Sequence, residues 1–172
     1  MSRVPAWFER KFDFSFPVEA YPNLATRLRG TPTRLEETVH GRPREIMVRK
    51  EQGKWSAQEH AGHLLDLEPL WRARVEDFMV GGTELTAADL TNRGTHEANH
   101  NVRPLERILA DFRGARLALM TRLERIEPER LAGTMLHPRL KRPMRLVDHL
   151  YFVAEHDDHH LAYIWELIHC GG

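Results

Sequence analysis

Between Asp148 and His160 the sequence carries four histidines, His149, His156, His159 and His160, with apolar residues interleaved. On an α-helix turning about 100° per residue, His156 and His160 lie about 40° apart, one turn above the other. Leu146, Val153 and Ile164 share that side, so the two rings project into the apolar stripe. Imidazoles at i and i+4 can aim their nitrogens at one ion, which they bind at about 2.0–2.1 Å. The plain alternative is a pair of core histidines with satisfied hydrogen bonds. A third inward histidine from another element decides between the two. His149 is also inward but about 10 Å along the axis from His156, which suits a pocket wall or the core. His159 projects just outside the inner arc and reads as rim or surface.

The element that could bring the third ring opens at Trp55-Ser56-Ala57-Gln58-Glu59. Ser56 is the N-cap and Glu59, three residues on, completes a capping box. His63, Leu64, Leu67, Trp71, Val75 and Phe78 then fall within one arc, so His63 faces the core, with His60 in the same arc a turn earlier. Glu59 and Asp66 flank His63, where either could orient a ligand histidine or take a proton. For both, the ordinary reading is an exposed helix carboxylate. Pro69 is expected to kink this helix beyond His63 without ending it, and Gly81-Gly82 stops it.

The remaining chain supplies the partners for these two helices. Residues 1–17 hold Trp7, Phe8, Phe12, Phe14 and Phe16 and read as an extended aromatic arm laid across helices. A first helix starts near Val18 or Pro22 and runs to about Val39. It is expected to break at Gly30-Thr31-Pro32, with Thr31 as an N-cap and Pro32 at the first helical position. Leu105, Ile108, Leu109, Phe112, Leu119, Leu123 and Ile126 mark a third helix starting at Pro104. The long polar connections 83–103 and 129–145 show no strand pair, and connections of that length are often functional. The pattern is all-α, a four-helix bundle with long crossover connections, in one domain spanning 18–172 behind the arm. Such bundles build metal sites from facing side chains.

Twenty-five basic residues balance twenty-five acidic ones, so no global field recruits nucleic acid or an anionic membrane. No apolar run is long enough to span a bilayer. The single cysteine, Cys170, excludes an internal disulfide and fits a reducing, cytoplasmic compartment. Third from the end, it supports no nucleophile.

With Trp55-Ser56-x-x-Glu59-x-x-x-His63 on one helix and His156-x-x-x-His160 on the last, the chain resembles the DinB/YfiT-like superfamily of metal-dependent enzymes. The stretch from His137-Pro138 to Leu146 also looks like that family's entry into its last helix, and the likeness runs from about residue 18 to the end. The resemblance implies one divalent ion on His63, His156 and His160, a small-molecule substrate, and frequent homodimers. It also implies hydrolysis, or group transfer aided by a low-molecular-weight thiol. Three imidazoles leaving open positions make a catalytic kind of site. Zinc is the first choice, and nickel or iron fit the same ligands. The competing readings are a non-catalytic metal-binding or stress-response module, and a bundle whose inward histidines only pack.

Overall fold

The computed structural model describes residues 4–51 and 53–169, so Cys170 lies outside the described residues. Its helices are α1 (Tyr21–Val39), α2 (Arg44–Met47), α3 (Ala57–Asp66), α4 (Glu68–Val80), α5 (Arg93–Glu97), α6 (Leu105–Leu123) and α7 (Leu146–His169). Four rods form the bundle: α1, the α3–α4 pair, α6 and α7. Both α1 and α3 pack on α6 and on α7, which leaves α1 diagonal to α3 and α6 diagonal to α7. The chain therefore crosses the bundle between α1 and α3, and again between α6 and α7. The 83–103 connection, long as it is, joins the neighbours α4 and α6.

Three local expectations meet a different outcome. A hairpin of β1 (Thr134–His137) and β2 (Arg142–Arg145) forms where no strand pair was expected, with Met135 opposite Met144 and both buried. Two inward residues are too few to show a period of two. Its Leu136 also exchanges backbone hydrogen bonds with residues 83–85, donating to Thr83 O and accepting from Leu85 N–H, each at 3.0 Å. The expected break in α1 is absent, and Pro32 lies inside a continuous helix. Proline removes the donor for the carbonyl four residues back, and the Arg116 guanidinium donates to Leu28 O instead at 3.1 Å. Thr31 caps nothing; its hydroxyl stands 2.8 Å from Asp157 Oδ2. The bend does fall beyond His63, but α3 ends there, with Leu67 alone between it and α4.

Two apolar clusters fill the bundle, one around Leu28, Trp71, Leu119 and Leu150, the other around Leu35, Leu64, Phe112 and Ile164. Between them all four rods contribute to one buried polar layer, through Thr31, Glu68, Arg116 and Asp157. The aromatic arm lies on its own chain. Trp7 packs edge-on to Phe12 and Phe152 at 5.2 and 5.1 Å. Arg142 donates to Phe12 O, and Arg145 donates to Phe14 O and Phe16 O. Arg10 pairs with Glu155. Of its aromatic residues, Phe8 stays largely exposed.

Candidate metal centre

Three buried imidazoles converge where α3 faces α7. One ligand atom from each of His63, His156 and His160 lies within 4.8 Å of the others. The Nε2 atoms of His156 and His160 are 3.1 Å apart. Two nitrogens at about 2.0–2.1 Å from a tetrahedral ion stand about 3.3–3.4 Å apart, so this pair already has nearly the spacing of shared ligands. Burial is the main reason all three stay neutral. It pushes His63 down to about 4, against the pull of Asp66, and holds His156 and His160 well below the ordinary imidazole value. Neutral rings are the form that binds metal.

The other nitrogens are tied back. His63 Nδ1 is 2.9 Å from Thr95 Oγ1, whose hydroxyl donates to Asp66 Oδ2 at 2.8 Å. Since that hydroxyl proton goes to the carboxylate, the Thr95 oxygen accepts from His63 Nδ1–H and leaves Nε2 with its lone pair. His100 Nε2 meets the same Asp66 oxygen at 2.8 Å. His160 Nδ1 is 2.8 Å from His60 Nδ1, and the His60 ring stacks on Tyr163 at 5.0 Å. Of the three candidate ligands, His156 lacks such support, its Nδ1 being buried without a partner.

A family model for the DinB superfamily matches residues 27–164. The chain belongs to the DinB superfamily. No curated protein matches the sequence. Among solved structures it resembles YfiT from Bacillus subtilis, described as a probable metal-dependent hydrolase with an unusual four-helix bundle topology. That likeness has a TM-score of 0.80 at 19% identity, covering 92% of this chain and 91% of the other. At that identity it speaks for the fold.

Within this DinB fold the other candidate residues take different places. Asp66 reaches His63 only through Thr95. Glu59 needs correction: its carboxylate closes the capping box on Ser56 N–H and pairs with Lys50 Nζ, each at 2.8 Å, and it does not line the cavity. His159 is also corrected, being 6% exposed and part of the cavity wall. Its helical phase does point outward, but Trp7 of the arm covers it, ring centroids 5.4 Å apart. His149 is a core residue with neither nitrogen partnered.

Thr95, His100 and Gly62 were not foreseen. The first two sit in the connection 83–103, which has no periodicity to give their phase away, although Gln58 anchors it by donating to His100 O and Arg103 O. Gly62 lets it approach: a Cβ there would fall 2.2 Å from the His100 ring. Metal-bound histidines depend on such outer partners by about 10–100-fold in affinity. Thr95→Val is therefore expected to weaken metal binding by about that factor with helical content unchanged. Gly62→Ala should act in the same direction by displacing His100. Competition against a chelating dye measures both.

The histidines open on a cavity of ≈ 340 Å³, within the range of about 300–1,000 Å³ common for small-molecule sites. Its walls include Trp7, Phe8, Trp55, Trp71 and Phe152. Trp55 stands 4.7 Å from the His63 ring and Trp71 stands 5.4 Å from that of His156. These rings give the cavity beside the cluster an apolar wall.

Proposed function

We propose that this chain is a metal-dependent hydrolase of small molecules, with one divalent ion on His63, His156 and His160. One observation carries the reading: three neutral imidazoles converge on a cavity with room for a substrate. Zinc is the ion proposed first, with nickel or iron as substitutes the same ligands accept. Held by these residues, such an ion would lower the pKa of a bound water to about 7, or would bind a thiol as its thiolate.

The protein's part is positioning and proton handling. Thr95 and Asp66 hold one ring and His60 another. Asp89 lines the cavity, but its oxygens accept from Thr91 and from Arg93 N–H, which hold its carboxyl below the ordinary value. His159 also lines the cavity, and since its Nδ1 is buried without a partner, proton exchange there falls to Nε2. Glu59 receives no role in the chemistry. Transfer of a low-molecular-weight thiol is the alternative that the same ion supports, with the thiol arriving as cosubstrate. A homodimer belongs to the proposal through the family resemblance, and a cytoplasmic location through the single cysteine; light scattering would show twice the 20.1 kDa chain mass.

The test is a panel of small esters and amides given to metal-loaded protein. Hydrolysis that a chelator abolishes and zinc restores, without added thiol, is the expected result. Turnover only with thiol would move the reaction to S-transfer. Bound metal without turnover across the panel would favour the non-catalytic module.

A further inference from the structure

Two arginines line the same cavity, and neither has a carboxylate partner among the described residues. Arg74 is 2% exposed. Its Nε–H donates to Thr86 O at 2.9 Å, and its Nη1 stands 3.2 Å from His137 Nε2. Arg139 has a buried Nη2 with no hydrogen-bond partner. Aromatic rings brace both: Arg74 lies 5.6 Å from Trp71, and Arg139 lies 5.2 Å from Phe8 and 5.7 Å from Phe152. With ring faces occupied, what the guanidiniums still offer is N–H edges. The nearby carboxylates are otherwise engaged. Asp77 Oδ2 accepts from Thr86 N–H, and Asp89 is held by Thr91 and Arg93.

His137 sharpens the point. Its Nδ1 is 3.2 Å from Arg139 N and 3.1 Å from Leu140 N, both backbone donors, while its Nε2 faces the Arg74 donor. A neutral imidazole has one lone pair and one N–H. It cannot accept on both sides, so at least one donor is left over whichever tautomer forms. With the backbone donors served by Nδ1, the Nε2–H and the Arg74 edge are two donors turned towards one place. Burial, aided by Arg74 and Arg139, lowers His137 to about 3, so the ring adds a donor without a third charge. Buried donors left without acceptors are costly, and arginine's fork matches an oxyanion's two oxygens.

We propose that Arg74, Arg139 and His137 form a subsite for an oxyanion, and that the substrate is a small organic anion. Its charged group, a carboxylate or a phosphate, sits at this subsite, and its apolar body lies on Trp71 and Phe152. Trp71 links the two ends of the site, meeting Arg74 on one side and His156 on the other. Only the placing of the reacting end at the histidines rests on the metal-dependent reading; the anion subsite stands without the ion.

Isothermal titration with 3-phenylpropanoate, 3-phenylpropanamide and inorganic phosphate tests this on metal-loaded and chelator-stripped protein. In both forms the carboxylate is expected to bind at least about tenfold tighter than the amide, or about 1.4 kcal/mol. Arg139→Gln should erase that preference, and Arg74→Lys, which keeps the charge but loses the fork, should reduce it. Helical circular dichroism confirms that each variant is folded. Arg139-dependent binding of phosphate would assign the subsite to phosphate esters and uphold it as an oxyanion site. A preference that survives Arg139→Gln, equal binding of the amide, binding only when metal is present, or no binding of either anion would overturn it. Retention of the preference by a protein that binds no metal would sink the hydrolase reading and leave the subsite standing.

Discussion

Metal-free protein taken from neutral pH to about pH 5.5 is expected to unfold cooperatively. Burial is the leading cause that depresses seven imidazoles: His60 and His137 to about 3, His63 and His159 to about 4, and His149, His156 and His160 well below the ordinary value. In the unfolded chain each would titrate near 6.5. Between those values the unfolded state binds more protons, so the stability these groups confer is full above about pH 6.5 and falls as pH drops below it. One unit below the unfolded pKa, each group costs on the order of 1 kcal/mol. Seven together reach on the order of 10 kcal/mol, which rivals the 5–15 kcal/mol that holds a typical domain. Helical circular dichroism against pH reads the transition. Metal-loaded protein should unfold at lower pH, because an ion bound only by the native state adds about 3–4 kcal/mol at 100 to 1,000 times its Kd. At neutral pH, chelation should lower Tm without erasing the helices. A chelator-treated sample fully helical at about pH 4.5 would contradict the burial of these rings.

Arg116→Met should destabilise the metal-free protein by about 3–5 kcal/mol in urea unfolding. Arg116 is fully buried and makes five hydrogen bonds: two to Glu68 Oε1, two to Asp157 and one to Leu28 O. Its removal strands two buried carboxylates and reopens the carbonyl that Pro32 leaves without a donor. Glu68→Gln should cost less. Burial pushes the Glu68 carboxyl up, even against Arg116, so giving up its charge costs less than giving up the arginine. The layer also bears on the histidines, because Asp157 follows His156 on α7 and Glu68 opens the segment just after His63's helix. Arg116→Met is therefore expected to weaken metal binding as well as folding. Equal losses for Arg116→Met and Glu68→Gln would mean that the arginine does not bind the layer together.

Helical phase accounts for what the sequence disclosed. His156 and His160 recur at i and i+4 within an apolar stripe, His63 shares an arc with Leu64 and Trp71, and Ser56 with Glu59 marks the start of that helix. What phase cannot show is which long-range group meets a local irregularity. Pro32 looked like a helix start because the donor to Leu28 O comes from Arg116, 88 residues away. His159 looked exposed because the residue covering it, Trp7, belongs to an arm without a period. Thr95 and His100 were hidden in an aperiodic connection, and nothing in the sequence singles out Arg74 and Arg139 among 25 basic residues. Only the fold turns them towards the cavity.

Elemental analysis of untagged protein, loaded with zinc and then dialysed, tests the metal centre most directly. Wild type is expected to hold about one ion per chain, with stoichiometric binding lost in His63→Ala, His156→Ala and His160→Ala. His159→Ala, one residue from His160 on α7, should retain the ion. Wild type without metal after loading with zinc, nickel or iron, or His159→Ala as the damaging change, would contradict a centre built on those three histidines.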